Sequence, residues 1–133
     1  MEREALEFHD SVLASVERAG DELRLLFEPA YVHRSLGEPG QDVGTGWSVN
    51  ALLTLFGAAV CQIPANLPCD IWEGSIRIGE SAFDNVVPLP LDRAGETQIE
   101  IELNSGKILN ASGTRVRLIA VGVYEFVENV SAG

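Results

Sequence analysis

The sequence predicts an all-β fold: one domain spanning residues 1–133, an antiparallel β-sandwich or flattened barrel of about eight to ten short strands. Three observations carry this. Thr97-Gln98-Ile99-Glu100-Ile101-Glu102-Leu103 alternates polar and apolar side chains, which in a strand sorts Ile99, Ile101 and Leu103 onto one face. Asn104-Ser105-Gly106 then breaks the run, and β-rich sequence resumes from Lys107 to Val121. That pattern describes a half-buried hairpin, with Gly106 free to take the positive φ of a short loop. Turn signals recur elsewhere at near-regular spacing, as in a sandwich or barrel.

Taken in order, residues 1–7 are polar and stay unassigned, fitting a frayed turn or a short helix. Phe8 to Ala19 reads as a strand with Val12, Ala14 and Val16 on one face. Ala19-Gly20-Asp21 turns it, and Glu22 to Glu28 returns with Leu23, Leu25 and Phe27 inward. Pro29 lacks an N–H and interrupts the ladder. Tyr31-Val32-His33 is a further short strand or edge piece. Leu36 to Gly46 is the clearest loop, dense in Gly and Pro. Trp47 to Cys61 fits a buried helix, a strand pair or one long bent strand, and periodicity does not decide between them. The β-rich flanks and Gly57, placed for a bend, favour strand. Pro64 to Pro68 connects to a strand at Ile71 to Ile78, kinked at Gly74. Gly79 to Asn85 turns into an edge or crossing segment holding Pro88 and Pro90. Thr114, Val116, Leu118 and Ala120 share one face of the hairpin's second half. Val123 to Val127 forms a last strand. The expected core includes Val12, Leu23, Leu25, Phe27, Leu53, Leu55, Ile76, Ile78, Ile99, Ile101, Leu103, Val116 and Leu118.

Composition narrows the function. The chain is 46% hydrophobic, as a folded domain requires. Its net charge is −11, from 20 acids against 9 bases, and Lys107 is the sole lysine. Nucleic-acid binding draws affinity from cations on phosphates, so that class is disfavoured. A negative field instead speeds encounter with cationic partners, although an acidic solvated surface is the plainer account. The charged opening, Met-Glu-Arg-Glu, is followed by no apolar run, so no signal peptide is expected. The longest apolar run, Ala51 to Ile63, is too short for a helical membrane span. The expected setting is soluble and cytoplasmic, with Cys61 and Cys69 as thiols.

Candidate chemistry is sparse. Phe8-His9-Asp10-Ser11 holds the residue types of a hydrolase triad, but neighbouring strand side chains diverge. His33 and Asp42 could join them in space, yet no nucleophile-elbow sequence is present. Two distant histidines and cysteines without C-x₂-C spacing argue against a metal site, and no cofactor motif occurs. Gly44-Thr45-Gly46-Trp47 is placed to line a pocket mouth, because glycines permit close backbone approach and Trp offers a stacking face. A core role is the plainer reading for both Trp47 and Trp72. The ligand-binding candidates are therefore Trp47, Trp72, His9, His33 and Asp42, with no catalytic residue assigned.

Phe8-His9-Asp10-Ser11, Gly46-Trp47, Leu67-Pro68, Pro88-Leu89-Pro90 and Tyr124-Glu125-Phe126 together resemble a group of small uncharacterised bacterial β-rich proteins. The resemblance spans Phe8 to about Glu128. Members of that group carry no established activity, so it implies no site residue. The chain also shares its style, small, acidic and β-rich, with immunity proteins that neutralise toxins.

The function expected is a non-catalytic acidic interaction protein that binds a basic protein partner. The alternatives are an apolar-ligand binder with Trp47 or Trp72 at the cavity mouth and, behind it, a hydrolase using His9 or His33. Sheet edges leave a homodimer open, unless Pro88 and Pro90 blunt them.

Overall fold

The computed structural model describes residues 1–131, apart from the side chains of Val60 and Cys61. Eleven strands form one antiparallel sheet: β1 (Arg3–Glu7), β2 (Val12–Ala19), β3 (Glu22–Ser35), β4 (Gly44–Phe56), β5 (Ala59–Gln62), β6 (Cys69–Ile78), β7 (Ser81–Asp84), β8 (Val86–Leu89), β9 (Leu91–Leu103), β10 (Ile108–Ala120) and β11 (Glu125–Val130). The order β4-β10-β9-β6-β2-β3 closes on itself through the β3–β4 pairing, giving a six-stranded barrel. Strands β8, β1 and β11 extend the sheet beyond it, while β5 pairs with β10 and β7 with β6.

The expected hairpin is the β9–β10 pair. Ile99, Ile101 and Leu103 point inward and are essentially inaccessible, and Gly106 sits at φ +87°. Leu23, Leu25, Phe27, Leu53, Leu55, Ile76, Val116 and Leu118 join them in one continuous core. A six-stranded barrel is narrower than the eight-stranded kind whose lumen side chains just fill. These residues pack the interior.

Several elements depart from expectation. Residues 3–7, left unassigned from sequence, form β1, because pairing to β3 and β8 on either side outweighs weak local signal. Phe8 to Ser11 is a turn rather than the start of a strand; the N–H of Ser11 donates to the Phe8 carbonyl at 3.0 Å. Val12 is half-buried and Leu13 takes its place in the core, since a bulge between Leu13 and Ser15 shifts the alternation before Val16. Pro29 does not end its strand. β3 runs on to Ser35 through a register shift between Phe27 and Ala30. Its first half pairs with β2 and its second with β1, while β4 flanks both.

The loop after β3 ends earlier than expected, at Val43, with Gly44 opening β4. Trp47 to Phe56 is strand, Gly57 takes φ +60° and β5 returns along β10. At Gly74 the cause is packing rather than a kink: a Cβ there would lie 2.8 Å from Cγ of Phe8. Pro88 does lie in an edge strand, β8, at one end of the sheet path. At the other end β11 leaves Phe126 and Val127 about half exposed. No helix among the described residues is long and apolar enough to cross a membrane. Cys69 is a partly buried free thiol, and the expectation for Cys61 lies outside the described residues.

Candidate functional site

Antiparallel pairing of β1 with β3 sets Glu7 opposite Tyr31 and Ala5 opposite His33. Glu7 and His33 are therefore diagonal neighbours on one face. The Nε2–H of His33 donates to Oε1 of Glu7 at 2.9 Å, with both side chains largely buried. Nδ1 of His33 is buried without a hydrogen-bond partner. That hydrogen bond holds the Glu7 carboxyl down to about 2, the expected effect of a donor aimed at the charged form. Asp10 lies beside Glu7. Sharing a hydrogen bond with that carboxyl, and to a lesser degree burial, pushes Asp10 up to about 6.

Tyr31 borders the same group. Its ring meets His33 edge-on at 5.0 Å, and its hydroxyl donates to Oε2 of Glu128 at 2.6 Å. Burial first, then Glu128, raises the phenol above its ordinary range. Gly46 makes this crossing feasible, because a Cβ there would overlap the Tyr31 hydroxyl and stand 2.7 Å from Cζ. Gly46→Ala is therefore expected to break the Tyr31–Glu128 bond. A spectrophotometric titration should then find one phenol moved part of the way back toward its usual value; an unmoved titration would contradict the contact.

The hydroxyl of Ser11 is held by two hydrogen bonds. Its Oγ donates to the Glu7 carbonyl at 2.6 Å and accepts from the Tyr31 N–H at 2.9 Å. Both capacities tie the first three strands together, and the residue is buried. Among the described residues neither His9 nor Asp10 hydrogen-bonds to that hydroxyl, as a triad would require.

On the far side of Asp10 a cleft of about 300 Å³ is lined by His9, Asp10, Ser11, Asp70, Trp72 and Asn104. Three segments build it: the β1–β2 turn, the start of β6 and the β9–β10 turn. Asn85 fixes the first by accepting the His9 N–H on Oδ1 at 2.9 Å. The Asn104 N–H donates to the Asp70 carbonyl at 2.9 Å and fixes the third. A register shift between Ile71 and Glu73 turns Trp72 outward, and 52% of it is exposed. This corrects the core reading for Trp72. Nδ1–H of His9 donates to the Trp72 carbonyl at 2.6 Å, which raises the imidazole above its ordinary value. The two rings meet edge-on at 5.2 Å.

Trp47 lies elsewhere, half-buried against the core, with its indole N–H donated to Thr45 Oγ1 at 2.8 Å. The Arg34 guanidinium sits 4.4 Å from the Trp47 ring and 4.7 Å from that of Tyr124, and pairs with Glu4. Burial, then the bond to Glu4, pushes the Tyr124 hydroxyl up to about 12. This is a packed cluster, with the Trp47 ring edge-on to Tyr124 at 6.4 Å and to Phe126 at 5.5 Å. Asp42 is held locally: its carboxylate accepts the Glu38 N–H within the loop after β3.

The fold thus gathers His9, Asp10 and Trp72 at one cleft and places His33 just behind it, while Trp47 and Asp42 stay apart. Glu7, Tyr31, Asp70, Asn104 and Glu128 were not singled out from sequence. Glu7 escaped because β1 was unassigned, and the others because only tertiary pairing brings them near. No group of His, Cys, Asp and Glu among the described residues is arranged to hold a metal ion.

A second feature is purely electrostatic. On the outer face of β7, β6 and β9, Glu73, Asp84, Glu100 and Glu102 line a cleft of about 230 Å³ with Gly74, Ser75 and Asn85. Among the described residues, none of these four carboxylates is in an ion pair. Compared with family models, with curated proteins and with solved structures, the chain matches none.

Proposed function

We propose that the protein is a non-catalytic acidic binding protein whose β7–β6–β9 face receives a basic protein partner. The observation that carries this reading is the set of four unpaired carboxylates on one cleft. Register explains the set. Glu73 stands opposite Glu102, and Ser75 lies between Glu100 and Asp84, so neighbouring strands present like charges on the solvent side. Like charges directly opposite one another destabilise a sheet; a cationic partner offsets that cost. The whole-chain charge of −11 adds long-range attraction.

The apolar-ligand reading has less support, because core side chains occupy the barrel interior. The hydrolase reading has less again, because the hydroxyl of Ser11 is engaged on both sides.

The test is capture of partners from a lysate by wild type and by a Glu73→Gln/Glu100→Gln/Glu102→Gln variant, at low and high salt. A basic protein should be retained by wild type at low salt, released at high salt and lost with the variant. Equal capture by both proteins would count against this face.

A further inference from the structure

We propose that the cleft between the β1–β2 turn and the start of β6 binds a neutral sugar ring stacked on Trp72. An indole half open to solvent offers a flat apolar platform. Trp72 is also held in place. The bulge between Ile71 and Glu73 aims it outward, and His9 fixes its carbonyl and meets its ring edge-on. A platform already ordered loses little freedom when a ligand arrives.

The groups around the platform select the guest. Asp70 and the ionised form of Asp10 only accept hydrogen bonds, the Asn104 amide both donates and accepts, and His9 Nε2 can do either according to protonation. Among the described residues, Asp70 and Asn104 hydrogen-bond within the chain through their backbones only, which leaves both side chains for a ligand in the cleft they line. Hydroxyl groups, each donor and acceptor at once, match that mixture. An apolar guest finds only one apolar wall. An anion meets two carboxylates. A cation is drawn by the same carboxylates but meets the imidazole, which gains a positive charge more readily than an ordinary histidine, and tetramethylammonium is the probe that separates it from a sugar. The volume, about 300 Å³, lies at the lower end for small-molecule sites and suits one ring rather than a long chain. This site is independent of the basic-partner reading, because it uses neither Glu100 nor Asp84.

The test is an NMR titration of the isotope-labelled full chain with methyl glycosides of glucose, galactose, mannose and N-acetylglucosamine. Glucuronate and tetramethylammonium serve as charged controls. At least one neutral glycoside should shift the Trp72 indole N–H and the Asn104 amide saturably, with the Trp47 indole unmoved as internal reference. Trp72→Ala and Asp70→Asn should each weaken binding at least about tenfold. Both sites are on the surface, so melting should be unchanged; if a variant folds poorly, the wild-type shifts decide. Tetramethylammonium or glucuronate binding as well as the best glycoside would overturn the proposal. So would an indole of Trp72 that no glycoside moves.

Discussion

Phe8→Ala is expected to cost about 3–5 kcal/mol in chemical denaturation. The ring is fully buried, 5.8 Å from that of Phe27, and it lies directly on the backbone at Gly74. The reciprocal change is informative. A Cβ on Gly74 would stand 2.8 Å from Cγ and 3.2 Å from Cβ of Phe8. Those atoms are at the root of the side chain and cannot swing away, so Gly74→Ala should cost about 1–3 kcal/mol by overpacking. Once Phe8 is Ala the ring is gone and only the Cβ contact at 3.2 Å remains, so the second substitution should cost much less. A double-mutant cycle reads the coupling directly. Strict additivity would mean that the two residues do not bear on each other.

Glu7→Ala is the second large effect, about 1–3 kcal/mol. It leaves both nitrogens of the buried His33 ring without partners. Glu7→Gln keeps an acceptor for Nε2–H and should cost less. The same pair predicts a pH signature. Glu7, held down to about 2, favours the fold when ionised; that contribution is present above the ordinary carboxyl value and is lost as pH falls through about 2. Asp10, pushed up to about 6, favours the fold when protonated. Its contribution is present below its ordinary value of 3.8 and is lost as pH rises through about 6. Wild type should therefore weaken as pH climbs through that interval. Asp10→Asn cannot ionise and should exceed wild type above about pH 6. The margin is about 1 kcal/mol, because Asp10 is largely exposed and solvent screens the repulsion. In Glu7→Gln the slope should flatten, since no carboxylate then faces Asp10. Parallel pH profiles for wild type and Asp10→Asn would refute the shared proton.

Much of the architecture was legible in the sequence because barrel strands alternate cleanly where one face meets the core. Ile99 to Leu103 and Leu23 to Phe27 obey that rule without interruption. It fails where the chain gains a residue. The bulge after Leu13 puts Val12 out of phase, and the bulge at Trp72 sends an aromatic residue outward from a strand that otherwise points its apolar side chains in. Local polarity carries no mark of either. β1 was illegible for a different reason, since five residues with two apolar side chains become a strand only when β3 and β8 supply partners. Of the candidate site, the His9-Asp10 neighbourhood could be read from residue type alone. The Glu7–His33 pair could not, because it depends on register between segments 26 residues apart.

The length of β3 has a mechanical meaning. Its first half is a barrel stave and its second half carries the strand that bears Glu7, with β4 alongside throughout. The two regions share continuous backbone at both strands, so neither can open while the other stays shut. Amide exchange across Tyr31 to Ser35 should track global unfolding, whereas β5 and β7, each paired on one side only, should release their protons through local fraying. The polar group behind the cleft should therefore come apart only when the barrel does.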